Sequence, residues 1–234
     1  MAEDIRERLA RVRERIARAA QQAGRSAQDI TLIAVSKTFD PEIVQQAVDA
    51  GALDLGENRV QEAATKVGAV KAKNLRWHLI GHLQSNKAKQ ALSIFDVIHS
   101  VDSRELVERL DRLAGELERR PTVLAQVDLA QEPTKSGALE SELPAIVEAL
   151  DSASHLEFRG LMTLPPFFDS PESTRSYFRR LRVILEGLNR TRAAERRLTE
   201  LSMGMSHDFE VAIEEGATMV RVGTAIFGAR EQRV

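Results

Sequence analysis

Eight short runs rich in apolar and β-branched residues recur along the chain, separated by longer stretches of helical period. They are Thr31–Ser36, Ala52–Leu55, Arg76–Ile80, Val97–Ser100, Thr122–Asp128, Leu156–Met162, Glu200–Met203 and Met219–Val222. Strands alternating with helices build a parallel sheet through right-handed crossovers. Eight such units fit a closed (β/α)8 TIM barrel, with an open doubly wound sheet as the competing arrangement. Helical patterns fill the gaps at Pro41–Ala50, Ser103–Arg120, Leu139–Leu150, Pro171–Arg190 and His207–Glu215, the first opened by proline and followed by Gly51. No linker rich in Pro, Gly or Ser divides the chain, so residues 1–234 are expected to form one domain. The stretch PPFFDSPES (165–173), with three of the seven prolines, reads as a long βα loop.

Ahead of the first strand, Ile5, Leu9, Val12, Ile16 and Ala19 step by four and three, the period of one helix face. This is an extra N-terminal helix ended near Gly24. Six arginines between Arg6 and Arg18 alternate with acids, so its polar face is expected to be solvated rather than a nucleic-acid arm. The formal charge of -2, from 33 basic and 35 acidic residues, supplies no field for nucleic acid or an anionic membrane. The charged N-terminal stretch is not patterned as a signal peptide, and no apolar run is long enough to span a bilayer. Zero cysteines exclude disulfides and thiolate chemistry. A cytoplasmic protein is expected.

In a barrel of this kind, function sits where strands hand over to the following loops. That rim collects Ser36 and Lys37, then Gly56, Glu57 and Asn58, then Gly81, His82 and Gln84, then Ser100, Asp102 and Ser103. It continues with Asp128 and Lys135, Thr163, Gly204–Asp208, and Gly223 with Thr224. Helix capping alone accounts for some of these. SMGMSHD (202–208) and RVGTAIFG (221–228) say more, because loops after strands seven and eight are where this fold binds phosphate. Neither G-x-G-x-x-G nor a P-loop is present. His78 and His82 have a metal-ligand spacing only on a helix, and WHLIGH reads as a strand, so no metal site is expected.

LIAVSKTF (32–39) delivers Lys37 at the end of the first strand. An amine facing a phosphate cup suits a ligand with both a carbonyl and a phosphate, such as pyridoxal 5'-phosphate (PLP) or a sugar phosphate handled by an aldolase. Arg221 would face the PLP ring, and a guanidinium beside the pyridine nitrogen disfavours its protonation.

The segments LIAVSKTF, DLGENRVQEA, RWHLIGHLQSNK, VDS, QEPTKSG, RGLMTLPP and LSMGMSHDFEVAIEEGATMVRVGTAIFGAR resemble, in order and over nearly the whole chain, the pyridoxal phosphate homeostasis protein family. Members are single-domain relatives of the barrel half of alanine racemase. The resemblance implies that Lys37 is the Schiff-base lysine, that Ser206, Gly223 and Thr224 bind the phosphate, and that Arg221 meets the pyridine nitrogen. It places Asn58 by the ring and Met203 and His82 in the pocket wall. Asp128 departs from the family, which commonly has Asn there.

Racemisation needs a base on each face of the cofactor, and the lysine supplies one. In alanine racemase the other is a tyrosine helped by a second, β-rich domain, for which no counterpart is expected here. Tyr177, the single tyrosine, falls in a helical pattern where packing is its expected role. The expectation is therefore a non-enzymatic PLP holder in vitamin B6 homeostasis, monomeric, passing cofactor to PLP-dependent apo-enzymes by docking or by diffusion. A PLP-dependent amino acid racemase is the alternative. Lys135, in a loop over the mouth, is a candidate second amine for relaying the aldehyde.

Overall fold

Eight parallel strands close into a barrel in the order β1 to β8, with β8 pairing back onto β1. The structure is a computed structural model, and it describes residues 4–130 and 136–228. The strands are β1 (Thr31–Val35), β2 (Asp54–Glu57), β3 (Arg76–Leu79), β4 (Val97–Val101), β5 (Thr122–Gln126), β6 (Glu157–Met162), β7 (Glu200–Met205) and β8 (Met219–Val222). Around them run α1 (Ile5–Gln22), α2 (Pro41–Asp49), α3 (Val60–Val67), α4 (Ala88–Ile94), α5 (Arg104–Glu116), α6 (Leu143–Ser152), α7 (Arg175–Asn189), α8 (Phe209–Glu214) and α9 (Thr224–Phe227). Among the described residues no helix is long and apolar enough to cross a membrane.

All eight expected strands exist, with shifted ends. The second lies at Asp54–Glu57 rather than Ala52–Leu55, because Gly56 and Glu57 continue the ladder opposite His78 and Leu79. The fifth stops at Gln126, because Asp128 turns to donate its N–H to the Ala138 carbonyl at 2.9 Å.

Strand alternation divides the core into two layers. Outward residues such as Leu55, Leu79, Ile98 and Val220 pack under the helices in one large cluster, while Ile33, Leu124, Met162 and Met219 fill part of the interior. Buried polar side chains share that interior. His99 on β4 bonds Ser202 on β7 at 2.9 Å. β5 and β6 lie between those strands in the sheet, so this bond crosses the barrel.

The first helix corrects one expectation. Its apolar face packs as predicted, but its polar face is not simply solvated: Arg8 donates to the Ile226 carbonyl at 2.7 Å and Arg13 to that of Gly51 at 2.7 Å. Arg15 pairs with Glu210 at 2.6 Å. Carbonyls at helix C-termini lack intrahelical partners and attract cations. α1 thus straddles the seam between the first and last units of the barrel.

Candidate functional site

Lys37 is half-buried in a turn just past β1. Three features fix that turn. Thr38 adopts φ 71°, unusual for a β-branched residue and costing about 1–3 kcal/mol unless its surroundings impose it. Its N–H donates to the Glu62 carboxylate, which supplies that constraint. Below, buried Lys66 spends its three N–H donors on the Ser36 carbonyl at 2.7 Å, Glu57 Oε1 at 2.7 Å and Glu62 Oε1 at 2.9 Å. Ser36 Oγ also donates to Glu57 Oε1, at 2.6 Å. Burial lifts the Glu57 carboxyl above its ordinary range, and the bonds from Lys66 and Ser36 only partly offset this. The lysine therefore stands on a backbone pinned from beneath by a buried ion cluster.

On the other side of the β1–β8 seam, the loops after β7 and β8 meet. Gly223 donates its N–H to Ser206 Oγ at 3.1 Å, and Thr224 opens α9, where the first backbone N–H groups point out of the helix end. Gly204 makes the bend possible: its φ is +90°, and a Cβ there would lie 2.6 Å from Ala212 Cβ and 2.9 Å from Phe209 Cα. Asp208 tightens the turn by accepting the Met205 N–H at 2.6 Å.

Arg221 is 2% exposed and lies between these loops and the interior. It donates to Ser202 Oγ at 2.5 Å and to the Thr163 carbonyl at 2.9 Å. Burial lowers its pKa to about 10, against the raising effect of Asp208, so it stays cationic at neutral pH. A guanidinium has five N–H donors, and two such contacts leave capacity for a ligand acceptor.

Other expected residues sort by position. Asn58 follows β2 and touches the neighbouring loop closely, since a Cβ on Gly81 would lie 2.3 Å from its carbonyl oxygen. His82 is 51% exposed, with Nδ1 3.5 Å from Asp102 Oδ2. Met203 is corrected: it is fully buried in the cluster between sheet and helices, on the opposite pleat face from inward-pointing Ser202, so its side chain does not line the site. The methionine carried to the surface is Met205, 38% exposed and in register with Arg221. Asp128 Oδ1 accepts the Ala130 N–H at 3.0 Å, a turn that Asn would also make. Lys135 lies outside the described residues. Trp77, 4% exposed, belongs to the outer packing layer, and Tyr177 on α7 faces Phe168 at 6.0 Å between ring centroids.

Residues 8–231 match the alanine racemase N-terminal domain family. The chain is 43% identical over 96% of its length to the pyridoxal phosphate homeostasis protein of Aquifex aeolicus (strain VF5), covering 98% of that relative. The chain belongs to the pyridoxal phosphate homeostasis protein family. The Escherichia coli (strain K12) homeostasis protein is 42% identical, with 97% of each chain covered. PipY of Synechococcus elongatus PCC7942, solved with PLP bound, superposes with a TM-score of 0.85 at 42% identity, covering 96% of this chain and all of PipY. Alanine racemase of Clostridium difficile 630 shares the fold, with a TM-score of 0.76 at 15% identity over 99% of this chain and 58% of that one.

Sequence reading of this homeostasis-family member missed the supports of the site. Glu57 was visible only as a rim residue, and nothing local in VQEAATKV marks Lys66 as buried. His78 was weighed as a metal ligand, whereas its ring is spanned by Asp54 Oδ1 at 2.9 Å and His99 at 3.0 Å. A sequence signal did exist: polar residues at inward positions of strands, Asp54, His78, His99 and Ser202, where apolar ones are the rule.

Proposed function

We propose that this chain binds pyridoxal 5'-phosphate covalently through Lys37 and serves in intracellular vitamin B6 homeostasis as a holder and donor of the cofactor. In this reading residues 1–234 act as one cytoplasmic PLP-binding domain, monomeric, with PLP-dependent apo-enzymes as recipients and no strong catalytic activity. The observation that carries it is the convergence on one barrel rim of an amine on a pinned turn, a buried guanidinium, and two loops joined by the Ser206–Gly223 bond.

The donor set suits the cofactor. Ser206, Thr224 and the N–H groups opening α9 offer hydrogen bonds to a phosphate. A Cβ on Gly223 would crowd the Val35 carbonyl at 3.3 Å, so glycine keeps that cup shallow. Arg221 presents a cation to the ring nitrogen, which keeps that nitrogen unprotonated and limits electron withdrawal by the ring. PLP, when bound, supplies an aldehyde that condenses with amines. Asn58 and His82 flank the place where the ring would lie, and Lys37 holds the reacting amine at the end of β1.

Holding rather than turnover is supported by the position of Tyr177 on α7, where it packs against Phe168 of the loop after β6. The competing reading, amino acid racemisation, would use His82, half-exposed beside Asp102, as the second proton-moving group. The test is the visible spectrum of the purified protein with PLP, then borohydride reduction and peptide mapping, beside Lys37→Ala. A yellow protein with its reduced adduct on Lys37 supports the reading, and a colourless protein that takes up no PLP overturns it. Loss of optical activity in L-alanine or L-serine incubated with the loaded protein would favour the racemase.

A further inference from the structure

A continuous set of hydrogen bonds runs through the barrel from Arg221 to the opposite end of the sheet. Arg221 contacts Ser202 Oγ at 2.5 Å, Ser202 Oγ lies 2.9 Å from His99 Nδ1, His99 Nε2 lies 3.0 Å from His78 Nδ1, and His78 Nε2 lies 2.9 Å from Asp54 Oδ1. Four of the five residues are buried, with Ser202, His99 and His78 at 0% and Arg221 at 2% exposure. Asp54 opens β2, where its carboxylate is 17% exposed and also pairs with Arg76 at 2.7 Å.

The chemistry of the two ends is compatible with one continuous direction for the bonds between them. A guanidinium only donates, so Ser202 Oγ accepts from Arg221 and keeps its own hydrogen available for His99 Nδ1. A carboxylate only accepts, so His78 donates from Nε2 to Asp54, and a neutral His78 must then accept at Nδ1 from His99 Nε2–H. In this direction each ring carries its hydrogen on Nε2. Burial would raise the Asp54 carboxyl, but the hydrogen bonds from His78 and Arg76 and the charge of Arg76 outweigh it, and the carboxyl is held below its ordinary range. Burial, with His78 and Arg221 nearby, holds His99 well below the usual imidazole range.

We infer that Asp54, His78, His99 and Ser202 are positioning residues forming a one-directional donor relay, which aims the Arg221 guanidinium at the ring nitrogen of bound PLP. The inference rests on the PLP reading above. Bonds aligned head to tail polarise one another, so a negative Asp54 at one end strengthens the hold on Arg221 at the other. Packing alone would not require this arrangement, since Ile33, Leu124, Met162 and Met219 show that the same interior accepts apolar side chains. Two linked histidines in a fixed tautomer hold the polar group beyond them in orientation.

The relay has its own readout without cofactor. Long-range proton–nitrogen correlation spectra of the 15N-histidine-labelled apo-protein near neutral pH should show His78 and His99 both neutral and Nε2-protonated; an Nδ1–H form of either, or a doubly protonated His78, overturns the relay. Its role toward PLP is read in His99→Leu, which cuts the chain, against His99→Gln, whose amide can accept from Ser202 and donate to His78. His99→Leu should weaken PLP binding about fivefold and move the visible band of the bound cofactor, while His99→Gln restores both. If His99→Leu does not fold, Asp54→Leu at the partly exposed end takes its place, with the same expected loss and band shift. An unchanged band and affinity in the cut variant overturns the positioning role. Failure of the wild type to bind PLP overturns the functional reading instead, and the apo-protein tautomers then judge the relay separately.

Discussion

Replacing Lys66 by Met tests whether the Lys37 turn rests on a buried ion cluster. The methionine fills similar space but removes three hydrogen bonds, leaving Glu57, with a side chain 0% exposed, without its cation. Glu57 Oε2 already has no partner among the described residues, so the carboxylate keeps only the Ser36 hydroxyl on Oε1. Breaking a buried pair from one side costs about 3–5 kcal/mol. Protonation sets a ceiling on the charge part of that cost: the carboxyl sits above 4.5, so neutralising it near pH 7.5 costs at most about 4 kcal/mol, at ~1.4 kcal/mol per pH unit. Near pH 5.5 the same ceiling is about 1.4 kcal/mol. The unpaired Ser36 carbonyl adds about 1 kcal/mol at either pH. The folded variant holds this proton more tightly than the unfolded chain does, so its stability rises as the pH falls. Thermal unfolding should therefore show a deficit of about 6–12 °C near pH 7.5 that shrinks by more than half near pH 5.5. Glu57→Gln combined with Lys66→Met should recover most of the loss. A deficit below ~1 kcal/mol, or one that does not change with pH, would refute the argument.

Ser206→Ala should weaken PLP binding about tenfold by fluorescence titration while moving the melting temperature little, because the hydroxyl bonds one exposed-side N–H, that of Gly223. Gly204→Ala should lower stability by about 2–4 kcal/mol in urea unfolding and reduce PLP uptake with it, since the residue has φ +90° and its Cβ would lie 2.6 Å from Ala212. Glu215, held by Arg175, Arg179 and Arg182, should supply acid sensitivity. Burial raises its carboxyl, but those bonds bring it down to about 2, so its contribution is present above the ordinary carboxylate value and lost as the pH falls toward 2. Glu215→Gln should flatten the stability profile across that window.

The barrel was legible because β-branched runs and helical periods alternate with regularity, and strand number survives errors in strand ends. Ends were less legible for a physical reason. Gly56 and Glu57 lack strand propensity, and their place in β2 depends on the β3 ladder and on Lys66, which local sequence does not report. Helices α3, α4 and α9, at eight, seven and four residues, carry little periodicity of their own. At the rim, Lys37, Ser206, Gly223 and Arg221 could be picked out because strand ends concentrate chemistry in this fold. That Met203 faces the helices rather than the rim was beyond pattern, since a positive-φ glycine follows it and alters the alternation of the strand. The supporting groups are contributed by residues far apart in sequence, as in the bond from His99 to Ser202, and only tertiary structure joins them.

The clasp of α1 across the β1–β8 seam bears on how the protein matures during synthesis. Arg8 reaches a carbonyl 218 residues away, and β8 must be available before β1 can be flanked on both sides. Contacts of such separation form late and slowly compared with the local βα units. The Lys37 turn leaves the ribosome well ahead of the loops that bear Ser206 and Thr224, so the amine exists for a time without its cup. Under the proposed assignment of Lys37 and these loops to PLP, reactive aldehyde would meet an unselective lysine in that interval and a shaped receptor only after the seam closes, which would make retention of the cofactor a reporter of completed folding.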